Sequence, residues 1–282
     1  MVTATKVLSD GSMELNQSIS ALRIRFVAGG CETGEIYCRF SDPLPMVAVG
    51  ESVRPMAMSP CWPEPVDQIE IVTTGDGGGW AGKMGSWVAP PENPGAPATV
   101  SVKRADLKVS WRPGRAVIQG SAEDCKTLLP GLIEFGFYEA QLRKLEQAVL
   151  PFESTSDADV AHAYEMTPKH RQHWDRLYRT MEQLYRLRLQ FARLEPRLDG
   201  PSPALPAEAR RLFTRLAEKA DVSERLEAVS NRLEACEDLY EGAVDRITDY
   251  KAYRRGNLLE IAIVILLAVE TVLLVVQPHF LR

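Results

Sequence analysis

The chain lacks a cysteine framework. Its five, Cys31, Cys38, Cys61, Cys125 and Cys236, are odd in number and scattered, with no C-x-x-C spacing. That pattern excludes a disulfide framework and a zinc-ribbon site, and it suits a reducing compartment. Excess positive charge is missing too. Lys and Arg number 33 against 38 Asp and Glu, a formal net charge of −5, which gives no general attraction to nucleic acid. The opening MVTATKVLSDGSMELNQS holds no apolar run, so no secretory signal is expected there. No G-x-S-x-G or comparable frame holds a nucleophile, and no enzymatic activity is expected.

Two motifs come close to chemistry and fall short. GGGWAGKM (77–84) is one residue from the phosphate-loop pattern G-x-x-x-x-G-K-[ST]. Met84 stands where a hydroxyl would ligate Mg²⁺, and MGSWVAPPENPG cannot form the helix whose N-terminus receives the phosphate. The glycine cluster reads as a loop between strands. An enzyme site among the loops at 75–97 is the weakest of three functional readings. His170 and His173 lie one helical turn apart beside Asp175, but a metal site needs a third and fourth ligand. No metal, cofactor or small-molecule substrate is indicated.

What the chain does have is texture. LRIRFVA (22–28), EIYCRF (35–40), DQIEIVTT (67–74) and TVSVKRADLKVSW (99–111) carry the alternating and β-branched pattern of strands. Pro113–Gly114 predicts a tight turn into a further strand. SPCWPEP (59–65) and APPENPGAP (89–97) predict loops. From about Ala122 the spacing turns helical, with Pro130 a kink or boundary. ESTSDAD (153–159) reads as a polar linker. Thr167–Pro168 would cap a helix running to about Leu198, and DGPSPALP (199–206) breaks it. Pro206 opens a short helix to about Ala220. Asp221 with Glu224 has capping-box spacing and starts the last helix.

In that last helix Leu226, Val229, Leu233, Cys236, Tyr240, Ala243, Ile247 and Tyr250 step by three and four, a coiled-coil period. Trp174, Leu177, Met181, Leu184 and Phe191 form a similar stripe upstream. Residues 167–198 carry seven arginines, whereas 222–250 carry eight carboxylates against three arginines. The opposite charges predict an antiparallel hairpin of these two helices.

From Leu258 to Val276 the sequence is LLEIAIVILLAVETVLLVV, with only Glu260, Glu270 and Thr271 polar. As a helix it is about 28 Å long, close to a hydrocarbon core of about 30 Å. Six residues, QPHFLR, follow it, so a C-terminal anchor is expected. Lys251, Arg254 and Arg255 precede the span against Arg282 after it, which places the N-terminal bulk in the cytoplasm or the mitochondrial matrix. Glu270 lies three residues past the middle of the span, where a charged carboxylate costs roughly 2.5–3.5 kcal/mol. It is expected at a helix–helix contact in an oligomer, with Glu260 near the membrane surface.

These features predict an α+β chain. A β-rich region (1–120) precedes a helical and coiled-coil region (121–256) built around a long antiparallel hairpin. A single C-terminal transmembrane helix (257–277) and a short tail (278–282) follow. The expected function is a non-catalytic, membrane-anchored, self-associating scaffold whose partners are membrane lipid and further copies of itself. The alternative is a membrane-attached RNA- or ribosome-binding factor. Arg179, Arg186, Arg188 and Arg193 would contact either RNA or the pairing helix.

NRLEACEDLYEGAVDRITDYKAYRRGNLLEIAIVILLAVE (231–270) resembles the required-for-meiotic-nuclear-division family, a domain of unknown function. The resemblance rests on Arg254 and Arg255, then Leu259–Glu260, the apolar run 261–269, and Glu270 ten positions after Glu260. EFGFYEAQLRKLEQAVLP (134–151) is similar to that family's first long helix, so the likeness covers roughly 120–276. It implies a membrane-anchored protein without known catalytic residues, one that supports translation in mitochondrial members. Residues 1–120 hold no counterpart of that family's Phe-Phe-Arg-Glu-Gly strand. The lack of an Arg-rich transit peptide favours a bacterial over a mitochondrial inner membrane.

Overall fold

Alternation of apolar and polar residues gives seven strands: β1 (Ser20–Ala28), β2 (Glu35–Phe40), β3 (Met46–Val53), β4 (Gln68–Thr74), β5 (Val100–Arg104), β6 (Leu107–Arg112) and β7 (Arg115–Gln119). The computed structural model describes residues 19–29, 34–53, 67–75, 87–88, 99–104, 107–164 and 171–280. At 104, 157–158, 160–164, 171–173 and 274–280 it describes the backbone alone. The strands form one sheet in the order β2-β3-β1-β4-β7-β6-β5. Neighbours are antiparallel except β4 and β7, which are parallel.

The four expected strands and the turn at Pro113–Gly114 are present, with two corrections. Residues 99–111 form two antiparallel strands, Val100 pairing with Trp111, and β3 had no counterpart in the expectation. Gly50 interrupts β3's apolar run. A Cβ there would meet the Tyr37 ring and Ile24, so glycine is what lets β2 close against β3. The proline-rich loops at 59–65 and 89–97, most of the glycine cluster, and Thr167–Pro168 lie outside the described residues.

Helices follow as α1 (Ala122–Tyr164), α2 (Arg171–Asp199), α3 (Ala207–Lys219) and α4 (Val222–Phe280). Pro130 does not end α1. Leu128, Leu132 and Ile133 are buried on either side of it, and that burial offsets the roughly 3 kcal/mol that an interior proline costs. ESTSDAD is helix rather than linker. Ser154 and Thr155 donate their hydroxyls to the Pro151 carbonyl, and Ser156 donates to that of Glu153, so these three hydroxyls are satisfied within the helix. Asp221 is not an ordinary N-cap. It has φ +51° and follows the α3 C-cap Ala220, its N–H donating to the Glu218 carbonyl. This is the left-handed residue that reverses one helix into the next.

The chain divides into two units, Met1–Val149 with Leu187–Asn231, and Leu150–Arg186 with Arg232–Arg282. In the first, α1 covers one face of the sheet. Phe137 lies 5.1 Å from Phe26 and stacks on Phe40, and Phe135 meets Trp111 at 4.9 Å and Phe213 of α3 at 5.5 Å. The opposite face carries a row of charges in cross-strand register, Glu51, Arg23, Glu70, Arg115 and Arg112. Arg23 donates to Glu51 at 3.3 Å and to Glu70 at 2.9 Å. Beside this row Ala21, Val72, Val88 and Val117 form a small apolar cluster with Trp87 against it.

In the second unit α2 and α4 run antiparallel. Trp174 meets Tyr250 edge to face, and Tyr178 reaches Thr248. Within this unit the stripe on α4 is buried from Leu233 to Ile247, as are Trp174, Leu177, Met181 and Leu184 on α2; Leu226 and Val229 of α4 and Phe191 of α2 are buried in the first unit.

Candidate functional site

α4 is one uninterrupted helix of 59 residues, about 90 Å at 1.5 Å per residue. It contains a stretch long and apolar enough to cross a membrane, and none of that stretch is buried. Large apolar side chains are exposed from Leu258 (60%) to Leu273 (63%). A soluble surface rarely tolerates so continuous an apolar area. Thr271 returns its hydroxyl to the Leu267 carbonyl at 2.7 Å and so brings no unmet donor into lipid. Glu260 and Glu270 are both exposed. Ten residues of helix put them about 15 Å apart along the axis and about 80° apart around it.

Below the span, three helices meet on one carboxylate. Asp159 of α1 is 3% exposed. It accepts from Tyr240 of α4 at 2.8 Å and from Arg176 of α2 at 3.2 Å. Burial, and then the hydrogen bond to Asp159, push the Tyr240 phenol up to about 12. Sequence reasoning placed Asp159 in a linker and so missed this knot.

At the level of Lys251 the ammonium group lies 5.5 Å from the centre of the Trp174 ring and 4.9 Å from that of Tyr178. Arg254, Arg255 and Tyr253 are exposed just beyond.

The four arginines picked out on α2 have different surroundings. Arg179 and Arg193 are exposed. Arg186 bonds Glu182 on its own helix at 2.6 Å, and Arg188 donates to Ser230 of α4 at 3.2 Å. Arg197 pairs with Asp42 at 2.7 Å. Two arginines of acidic α4 turn to α1: Arg225 bonds Glu139 and Glu146, and Arg232 approaches Glu153 at 3.8 Å.

Unit 1 buries groups whose chemistry is damped. Glu134 is 2% exposed and accepts the Ser202 N–H at 2.9 Å. Burial raises its pKa above the usual carboxylate range. Burial, with Glu134 adding to it, pushes the Cys38 thiol up to about 12, far from the thiolate a nucleophile requires. The folded state therefore holds the Glu134 proton to higher pH than the unfolded chain does. Its stabilising share is full below the unfolded pKa and is lost as pH rises through the folded one. Glu134→Gln is expected to remove this dependence. Between pH 4 and 8 the wild type should lose stability relative to the variant, with a slope of at most about 1.4 kcal/mol per pH unit. Chemical unfolding across that range measures it.

A cavity of about 210 Å³ opens between β5, β6 and α3. Val102, Val109 and Leu212 line its floor, with Glu208, Arg211 and Arg215 at its mouth. Glu208 bonds Arg211 at 2.9 Å. Among the described residues no group of three or more His, Cys, Asp or Glu is placed to hold a metal ion. His170 and the side chain of His173 lie outside the described residues, as does the 76–86 segment of the near phosphate loop.

No protein-family model and no curated protein matches the chain. Among solved structures it is similar to the CorA magnesium transporter from Methanocaldococcus jannaschii, 9% identical, covering 86% of this chain and 80% of that one with a TM-score of 0.34. It is also similar to the full-length CmaX protein, 11% identical, covering 86% of this chain and 83% of that one with a TM-score of 0.27.

Proposed function

We propose that the chain is a non-catalytic scaffold, held in a membrane by α4 and self-associating there, with the residues before the span on the cytoplasmic side of a bacterial inner membrane. One observation carries it. A single helix has its buried stripe over Leu226–Ile247 and goes on as an apolar rod that none of the described residues covers. The basic flank Lys251, Arg254 and Arg255 supports the orientation. The resemblance of 120–276 to the required-for-meiotic-nuclear-division family supports an anchored, non-enzymatic role.

Glu270 is the residue on which self-association turns. A polar side chain in lipid gains from a hydrogen bond to a neighbouring helix, typically about 0.6–2 kcal/mol. Glu270→Leu is expected to shift the purified protein in detergent from oligomer toward monomer, as read by analytical ultracentrifugation. An unchanged distribution would remove Glu270 from the interface.

A second reading, RNA or ribosome binding through α2, is favoured by the exposure of Arg179 and Arg193. Salt-sensitive co-sedimentation with ribosomes that is lost in Arg179→Glu/Arg193→Glu would support it. Cross-links in intact membranes that capture only further copies of the chain would support the scaffold.

A further inference from the structure

The mouth of the span has its own geometry. Lys251, Arg254 and Arg255 are spaced i, i+3, i+4, which puts three cations on one face of α4. No carboxylate occurs between Tyr250 and Leu259 to offset them. The first of the three is held by aromatic rings of α2, its ammonium group over both Trp174 and Tyr178. Trp174 is in turn fixed edge to face on Tyr250 at 5.6 Å. Tyr253, 70% exposed, projects from the other side of the same turn.

With the hydrocarbon core beginning at Leu258, Arg254 and Arg255 lie about 5 Å outside it and Lys251 about 10 Å outside. A headgroup layer is about 5–8 Å deep on each side. The arginine forks therefore lie at the depth of lipid phosphates, with the lysine at the outer margin. Arginine binds phosphate oxygens in pairs, and Trp and Tyr favour the same layer.

We propose that Lys251, Arg254 and Arg255, framed by Trp174 and Tyr178, form a headgroup site for an anionic phospholipid. This rests on α4 crossing the membrane and adds the class of lipid it retains. The site fixes the depth of the helix and ties the start of α2 to the bilayer surface.

The test uses the full-length chain in vesicles of equal phosphatidylglycerol and phosphatidylcholine, followed by detergent extraction and measurement of the lipid that stays bound. Each basic residue near an anionic surface favours the acidic lipid about fivefold. The wild type should thus retain phosphatidylglycerol at least about fivefold over phosphatidylcholine. Lys251→Gln/Arg254→Gln/Arg255→Gln should bring that ratio close to one, with helix content by circular dichroism unchanged. Wild-type protein that floats with the vesicles yet retains the two lipids equally would overturn this site while leaving the anchor standing. Protein that does not float at all would overturn the anchor itself.

Discussion

Arg225→Met is expected to destabilise the protein by about 3–5 kcal/mol, the usual consequence of stranding a buried charge. Arg225 of α4 forks onto both oxygens of Glu146 at 2.8 and 2.9 Å and reaches Glu139 at 3.2 Å. Glu139 is 1% exposed and takes a second bond from Arg143 at 2.7 Å. Burial alone would lower the Arg225 pKa, but its hydrogen bonds to Glu146 and the field of Glu139 outweigh it and hold the pKa above its ordinary value. Removing the guanidinium leaves Glu139 in a low-dielectric site with one partner fewer. Arg225→Lys keeps the charge and loses the fork, so it should recover part of the loss. Arg211→Met breaks an exposed pair with Glu208 and should cost no more than about 1 kcal/mol. Unfolding of the detergent-solubilised protein, followed by near-ultraviolet circular dichroism, measures all three.

At Gly131 the second prediction turns on a sign. Helix propensity alone says that alanine should stabilise an interior helical glycine by about 1 kcal/mol. A Cβ at Gly131, however, would run into the main-chain carbonyl of Ala209 in α3 and come 3.0 Å from its Cβ. Backbone cannot swing aside as a flexible side chain can. Gly131→Ala is therefore expected to destabilise by about 1–3 kcal/mol and Gly131→Leu by more. Gly242 of α4 has nothing within 4 Å of the corresponding position, so Gly242→Ala should stabilise by about 1 kcal/mol. Opposite signs at two helical glycines would locate the close approach of α1 and α3. Matching signs would deny it.

Legibility in the sequence follows the range of the forces involved. The α4 stripe and its continuation into the apolar span were readable because helix period and apolar length are local properties. β2 was readable to the residue for the same reason. The order of the sheet was not, since the parallel pairing of β4 with β7 joins segments with a strand pair between them. Alternation of Arg23 and Arg25 with apolar neighbours is what a half-exposed strand shows. In the fold Glu70, Arg112 and Arg115 are nonetheless buried.

The helices teach a related lesson. A basic α2 and an acidic α4 predict each other as partners, and they do run antiparallel. Yet Arg176 bonds Asp159, and Arg225 and Arg232 turn to α1. Helix α1 was the third participant, hidden because ESTSDAD has the composition of a linker. Its hydroxyls bond backward along the helix, and Asp159 is buried only once α2 and α4 enclose it. The exposed rod was plain from sequence; the carboxylate that knots three helices beneath it was not.

The central claim is that α4 passes without a break from a protein-covered helix into lipid. Spin labels placed one at a time along residues 226–273 of the chain in vesicles test it most directly. The account predicts three- and four-residue periodicity of protection over 226–247. Access of oxygen should then rise, and access of a water-soluble nickel chelate fall, from Leu258 to a maximum depth near Leu267. Uniform access of the nickel chelate across 258–273 would contradict it.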